Sequence, residues 1–203
     1  MSKLDLKKKK KEFYYPSTSE VSVVDLPEMK FLMIDGQGDP NTSQEYQDAM
    51  ETLFPVSYKT KFLSKKEKSQ DYVVMPLEGL WWADNMEEFS IADKSSWKWT
   101  VMIRQPDFVG KSMIDMAMKE LEKKKDIPSR SKLRLETFKE GEAVQIMHIG
   151  PYGEAEAPAV NKLHAYIENQ GYQLRGKHHE IYISDMRRTK PEKLKTVIRQ
   201  PFQ

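Results

Sequence analysis

The residues that could do chemistry together are a carboxylate, tyrosine hydroxyls, indole rings and histidines, and several gather at His179-Glu180-Ile181-Tyr182-Ile183-Ser184-Asp185. The stretch alternates strictly. As a strand it sets Ile181 and Ile183 on one face and Glu180, Tyr182 and Ser184 on the other. A carboxylate in mid-strand beside a tyrosine is either solvated at a sheet surface or set into a pocket. In a pocket Glu180 has two uses. It could hold a cationic aromatic ligand, with rings adding cation–π attraction of ~0.5–2 kcal/mol. Alternatively, partial burial raises its pKa and lets it take a proton from water. A structural ion pair with a lysine or arginine is the third reading.

Tyr152 lies in the turn Gly150-Pro151-Tyr152-Gly153. Its hydroxyl could hydrogen-bond a ligand carbonyl, or its ring could simply pack on the turn. Trp81 and Trp82, consecutive in an extended segment, must face opposite ways. One belongs in the core and the other could stack on a planar ligand. The histidines do not form a metal site: His178 and His179 diverge in a strand, no His-Glu-x-x-His occurs, and there is no cysteine. His148 shares a strand face with Val144 and Ile146 and reads as a satisfied interior histidine. The Gly turns lack a P-loop lysine and the dinucleotide fingerprint, and no Ser-His-Asp arrangement is evident. No cofactor is expected.

These groups need a scaffold, and the chain supplies its elements in order. Residues 1–29 read as a basic, aromatic extension in which Lys7 to Lys11 form a solvated arm and Phe13, Tyr14 and Tyr15 touch the body. Phe31 to Ile34 is a short strand. A capping box of Thr42 and Glu45 opens a helix that Pro55 should kink or interrupt. Tyr72 to Leu77 reads as a strand, followed by a bend into a second extended piece at Trp81-Trp82. A polar loop leads to a strong strand from Trp97 to Arg104, with Met102 on the face opposite Trp99. Ser112, with Asp115, opens a connecting helix over about 111–126. Leu133 to Phe138 and Ala143 to Ile149 look like a hairpin about Glu140-Gly141. Next comes a helix with Pro158 in its first turn and Gly171 at its end, then the strand at Glu180, and a last strand from Thr196 to Arg199.

Ile103-Arg104-Gln105-Pro106 recurs as Ile198-Arg199-Gln200-Pro201, and such self-similarity predicts a duplicated fold. Each half reads strand, Gly-turn, helix, strand, strand. The expected fold is α+β, two pseudo-twofold-related βαββ halves (about 30–108 and 131–203) with helices packed on the strands and a central groove for a ligand. Helices covering the Ile181 and Ile183 face would leave Glu180 and Tyr182 toward the open side. The first half would bring mainly aromatic side chains to the groove and the second acidic ones.

Composition narrows the function. With 33 Lys and Arg against 31 Asp and Glu, the net charge is only +2. Six lysines fall within the first twelve residues, so the body carries a slight acidic excess. That argues against a nucleic-acid-binding body. There is no apolar run long enough for a membrane span and no signal-peptide core, so a cytoplasmic protein is expected. Twelve methionines, with four Trp, nine Tyr and eight Phe, suit an adaptable pocket.

Four segments together resemble one family: Pro76-Leu77-Glu78-Gly79-Leu80-Trp81-Trp82, His148-Ile149-Gly150-Pro151-Tyr152-Gly153-Glu154, the strand His179 to Asp185, and Pro191 to Pro201. In that order they are similar to the GyrI-like small-molecule-binding domains, over about Glu28 to the C-terminus. The resemblance implies two βαββ halves about a groove, with the strand glutamate, here Glu180, as its central polar residue and the aromatics Trp81 and Tyr152 as lining. The expected lining is Glu180, Tyr152, Trp81, Tyr182, Met102 and His148. Members of the family bind drugs or toxins, serve as effector domains of transcription regulators, or inhibit DNA gyrase. The stand-alone branch includes hydrolases that open the cyclopropane of DNA-alkylating natural products. Residues 1–29 are too short and wrongly patterned for a helix-turn-helix. The resemblance therefore implies a binder of hydrophobic planar or cationic small molecules. The alternatives are a cofactor-free hydrolase using Glu180 and Tyr152, and a gyrase-interacting protein.

Overall fold

The computed structural model describes residues 3–84 and 94–203. Among these residues six strands, β1 (Ser22–Gln37), β2 (Leu77–Trp82), β3 (Lys98–Arg104), β4 (Arg134–Ile149), β5 (His178–Tyr182) and β6 (Lys195–Pro201), close into an antiparallel barrel in the order β1-β3-β2-β5-β6-β4. The helices are two short turns, α1 (Leu6–Lys9) and α2 (Lys11–Tyr14), then α3 (Gln44–Lys68), α4 (Lys111–Glu122) and α5 (Ala157–Asn169). No helix among the described residues is long and apolar enough to cross a membrane. The polar loop expected after Trp82 lies largely outside the described residues.

Several local expectations are corrected. β1 begins at Ser22, well before Phe31, so part of the predicted extension is barrel strand. β4 is one strand, not a hairpin: it pairs with β1 on both sides of Gly141. Gly141 has φ +76°, and the ladder skips Pro27 on the facing strand, so both strands bend together. A glycine between two alternating runs mimics a turn when it is a bend. Before Pro76 only Tyr72 pairs, in a bridge with Leu4, and the strand starts at Leu77. The cap of α3 is Ser43, whose hydroxyl accepts from the Tyr46 amide, one residue later than expected. α3 runs through Pro55 without a break. Pro55 leaves the Glu51 carbonyl without its helical donor, and the Lys125 ammonium donates to it at 3.3 Å instead. α4 starts from Gly110 with no side-chain cap, rather than at Ser112.

Closure gives the strands two buried faces. Cross-strand partners share a face, so Glu78, Ile181, Val197 and Met147 lie on one side, as do Leu80, His179, Arg199 and Gln145. This side is the barrel interior, shared with Leu26, Phe31, Met33 and Met102. Glu180, Ile198 and Ile146 lie on the other side, where Ile198 and Ile146 pack under Leu163 and Ile167 of α5. The helices therefore cover the Glu180 face, and Ile181 points into the barrel, the reverse of the sequence expectation. That expectation assumed an open sheet; the closed barrel itself buries the Ile181 face.

The interior carries a charged network. His179 Nδ1 donates to Glu140 at 2.9 Å and Nε2 to Glu78 at 3.2 Å. Arg199 donates to Glu140 at 3.1 Å, to Gln145, and to the Phe13 carbonyl at 2.8 Å. Arg104, its counterpart in the Ile-Arg-Gln-Pro repeat, donates to the Tyr14 hydroxyl. Both repeat arginines thus hold the α2 segment in the barrel, with Phe13 and Tyr14 buried and Tyr15 outside. Burial opposes a charged His179, but the Glu140 carboxylate and the hydrogen bonds to Glu140 and Glu78 outweigh it and raise its pKa. Burial likewise opposes an ionised Glu140, and His179 with Arg199 hold it down to about 2.

The sign for stability follows from these shifts. His179 contributes fully below its ordinary 6.5, and its contribution fades as pH rises through the raised folded value. Glu140 contributes fully above its ordinary 4.5 and is lost as pH falls toward 2. Urea unfolding across pH should show both contributions intact between about pH 4.5 and 6.5. Glu140→Gln, which leaves His179 and Arg199 without their carboxylate, should cost about 3–5 kcal/mol. A loss under about 1 kcal/mol would contradict this account of the network.

Candidate binding groove on the β2–β5 seam

Glu180 is placed by β5 directly across from Gly79 of β2. A side chain at Gly79 would meet the Trp81 indole, since a Cβ there would stand 2.7 Å from Nε1. The glycine lets Trp81 fold over the seam beside Glu180. Tyr46, in the first turn of α3, lies nearly parallel to Trp81 at 6.1 Å and edge-on to Trp99 at 5.3 Å. Trp97 packs against Trp81 at 5.5 Å. From the other side the turn after β4 brings Tyr152 edge-on to Tyr182 at 5.3 Å. The first part of the chain supplies indoles and the second the acids.

Glu180 makes its own bonds along the strand. Tyr182 donates its hydroxyl to one carboxylate oxygen at 2.7 Å and His178 donates Nε2–H to the other at 3.0 Å. Its side chain is 12% exposed, and no lysine or arginine pairs with it among the described residues. Burial works against its charge. The hydrogen bond and charge of His178, the Tyr182 hydroxyl and the Lys94 ammonium prevail, so its pKa is lowered and it stays ionised. The raised pKa expected for a general base is not found here.

It is found on Glu156. This residue closes the 3-10 turn Gly153–Glu156 just before α5 and is buried. Its Oε2 accepts the Gly153 amide at 2.6 Å, while Oε1 has no partner among the described residues. Thr196 Oγ1 faces the same carboxyl without a geometry that satisfies either atom. Burial, and then the charge of Glu180, push Glu156 up to about 8. One proton is therefore held on Glu156 at neutral pH beside an ionised Glu180. Tyr152 is pushed up to about 12 by burial and by Glu156, Glu180 and Asp185. Tyr46 and Tyr182 are raised by burial and by Glu180, so all three phenols stay protonated as donors. The Trp81 indole N–H is a further buried donor without a partner among the described residues.

Of the six side chains expected in the lining, the structure gathers Glu180, Tyr182, Tyr152 and Trp81. Met102 lies in the barrel interior, fully buried, with Glu78 across from it. His148 shares its strand face with Tyr182 through Thr196, but it is half-buried and its ring bonds the Pro151 carbonyl at 3.0 Å. It braces the Tyr152 turn and is not an interior residue. Trp82 faces away from Trp81, under the Lys177 ammonium at 3.2 Å from its ring centre. Sequence reading missed Glu156, Tyr46 and Lys94. Glu156 had a visible signal, a lone acid within Ala155-Glu156-Ala157-Pro158-Ala159-Val160. Tyr46 stands at helical spacing with Ala49 and Leu53, so its sequence context signals only packing.

A separate cleft of about 560 Å³ is lined by Asp35, Glu45, Trp82, Lys98, Lys132 and Arg134, among others. None of the six expected residues borders it. Its charges satisfy one another: Arg134 with Asp35 and Glu136, Lys98 with Asp84, and Lys132 with Glu45. Three of the unsatisfied buried polar atoms among the described residues, Glu156 Oε1, Thr196 Oγ1 and the Trp81 indole nitrogen, belong instead to the cluster about Glu180.

A model of the GyrI-like small molecule binding domain matches residues 19–203. The chain belongs to the GyrI-like family. Among solved structures, this GyrI-like chain is 40% identical to an uncharacterized conserved protein from Listeria innocua, over 99% of this chain and 100% of that one, with a TM-score of 0.91. It is also 40% identical to a hydrolase from Listeria innocua, over the whole of both chains, with a TM-score of 0.88. The EcmrR C-terminal domain shares the fold at 14% identity, a TM-score of 0.57, and coverage of 91% of this chain and 97% of that one. No curated protein sequence matches the chain significantly.

The two carboxyls can be titrated separately. In Glu180→Gln the pKa of Glu156 should fall below its value of about 8, because one of the two influences raising it is gone. Carboxyl carbon NMR reads this directly. An unchanged value would mean that the two groups do not share one electrostatic site.

Proposed function

We propose that this protein binds hydrophobic, planar or cationic small molecules in the groove on the β2–β5 seam, as a cytoplasmic protective sink. The groove lies between two βαββ halves related by a pseudo-twofold, a reading supported by the strand order β1-β3-β2-β5-β6-β4, in which β1, β3 and β2 meet their counterparts β4, β6 and β5 in mirrored sequence. The observation that carries the proposal is the state of Glu180: a largely buried, ionised carboxylate that no lysine or arginine pairs with among the described residues, bonded by His178 and the Tyr182 hydroxyl and framed by Trp81, Tyr46, Tyr152 and Tyr182. A desolvated anion gains most from a partner cation. Aromatic walls stack on a planar ligand and add cation–π attraction. Family membership points to a small-molecule ligand.

A second reading, a hydrolase of strained electrophilic cyclopropanes, is favoured by the juxtaposed protonation states and by the likeness to the Listeria innocua hydrolase over its full length. In it Glu180 takes a proton from water as the water oxygen bonds a ring carbon. The bond from that carbon to the ring carbon conjugated with the carbonyl breaks, its electron pair passes into the carbonyl, and that oxygen, hydrogen-bonded by Tyr152, ends with the proton that left the water. The net change is addition of one water.

Titrating Trp fluorescence with an aromatic monocation should give saturable quenching. Glu180→Gln should weaken it by about tenfold or more, roughly 1.4 kcal/mol, while leaving the fold intact by circular dichroism. Equal affinity in the variant would contradict the assigned anion. Product chromatography with a cyclopropane-fused dienone separates the second reading: a wild-type product that Glu180→Gln forms at the full rate rules out Glu180 as base.

A further inference from the structure

The groove holds two carboxyl groups but only one negative charge, and the second carboxyl is built to change its state. Glu156 is 4% exposed, anchored through Oε2 to the Gly153 amide, with Oε1 unpartnered among the described residues. The groups facing it come from every side of the groove. Glu180 and the Tyr182 phenol come from β5, Tyr152 from the preceding turn, the Thr196 hydroxyl from β6, and the Lys94 ammonium from ahead of β3. Behind Glu180 stand His178 and the Tyr46 phenol, and behind His178 stands His164 of α5. Lys94 brings a cation to Glu156. It sits beside Gly153, 5.0 Å from the Trp97 ring centre, and serves both carboxyls at once.

We propose that binding of a cationic ligand in this groove is coupled to release of the proton from Glu156, so that the site presents two carboxylates to the bound cation and one charge when empty. The coupling rests on the cation-binding reading of Glu180. Burial and then the Glu180 charge keep Glu156 neutral; a cation seated over Glu180 offsets the second and attracts the Glu156 carboxylate directly, so that Oε1 becomes a second acceptor. The free site avoids two buried anions sharing the one Lys94 ammonium. The device favours cations over neutral aromatics of the same shape, because only a cation recovers the cost of ionising Glu156.

Linkage makes the consequence measurable. The probe is 10-methylacridinium, a planar ring with a permanent charge, and 10-methylacridone serves as its neutral counterpart. Calorimetry of the wild-type protein in buffers of different ionisation enthalpy counts the protons released. The expected count is about one per cation near pH 6.5, falling toward zero above about pH 9, where Glu156 is already ionised. Cation affinity should rise by up to about tenfold per pH unit between about 5.5 and 7.5. The neutral ring should release none. Glu156→Gln should bind the cation with no proton release and a flat pH profile. Cation binding without proton release in the wild type, release of an equal proton by the neutral ring, or release that persists in Glu156→Gln would each overturn the coupling while leaving Glu180 as the anion. If 10-methylacridinium does not bind at all, both the cation reading and the coupling fail.

Discussion

A protonated imidazole held between two carboxylates inside a closed barrel is the interaction on which the rest depends. His179 reaches Glu140 on β4 and Glu78 on β2, and Arg199 on β6 reaches Glu140 as well. These contacts tie together strands β2, β4, β5 and β6, distant in sequence, and the same arginine holds the Phe13 carbonyl of the N-terminal segment. Buried ion pairs gain little over an apolar core of the same shape, but they are costly to break, so they specify an arrangement more than they add stability. Here they fix the register of β5.

That register is what places the proposed site. With His179 and Ile181 committed to the interior, alternation leaves His178, Glu180 and Tyr182 no choice but the outer face, in the seam between the helices. A slip of one residue would bury Glu180 in the barrel and turn His179 outward. In the interior network His179, Glu140 and Arg199 bond one another and only Glu78 Oε1 is left over among the described residues, whereas the outer cluster keeps a neutral acid with an unpartnered oxygen beside an ionised Glu180, raised phenols and an unpartnered indole N–H.

Much of this was legible in the residues. The alternation at Glu180 and the order of strands and helices are short-range patterns, and they pointed to β5 and to a mixed helix-and-sheet fold. What could not be read was closure. Whether a face is core or groove depends on which strands pair, and the long β1–β4 ladder was hidden by Pro27 and Gly141, which look like breaks. With the sheet taken as open, the helices were assigned to the Ile181 face and Met102 to the groove. Glu156 escaped because burial, not sequence, makes a carboxyl unusual, and the turn that buries it forms only against Thr196 and Tyr152.

The most direct test is a crystal structure with an aromatic cation soaked or co-crystallised. The account predicts a ring against Trp81 and Tyr152, with its positive centre within about 6 Å of an aromatic centroid and facing the Glu180 carboxylate. A cation seated instead in the cleft of Trp82, Lys98 and Arg134, with the Glu180 groove unchanged, would contradict it.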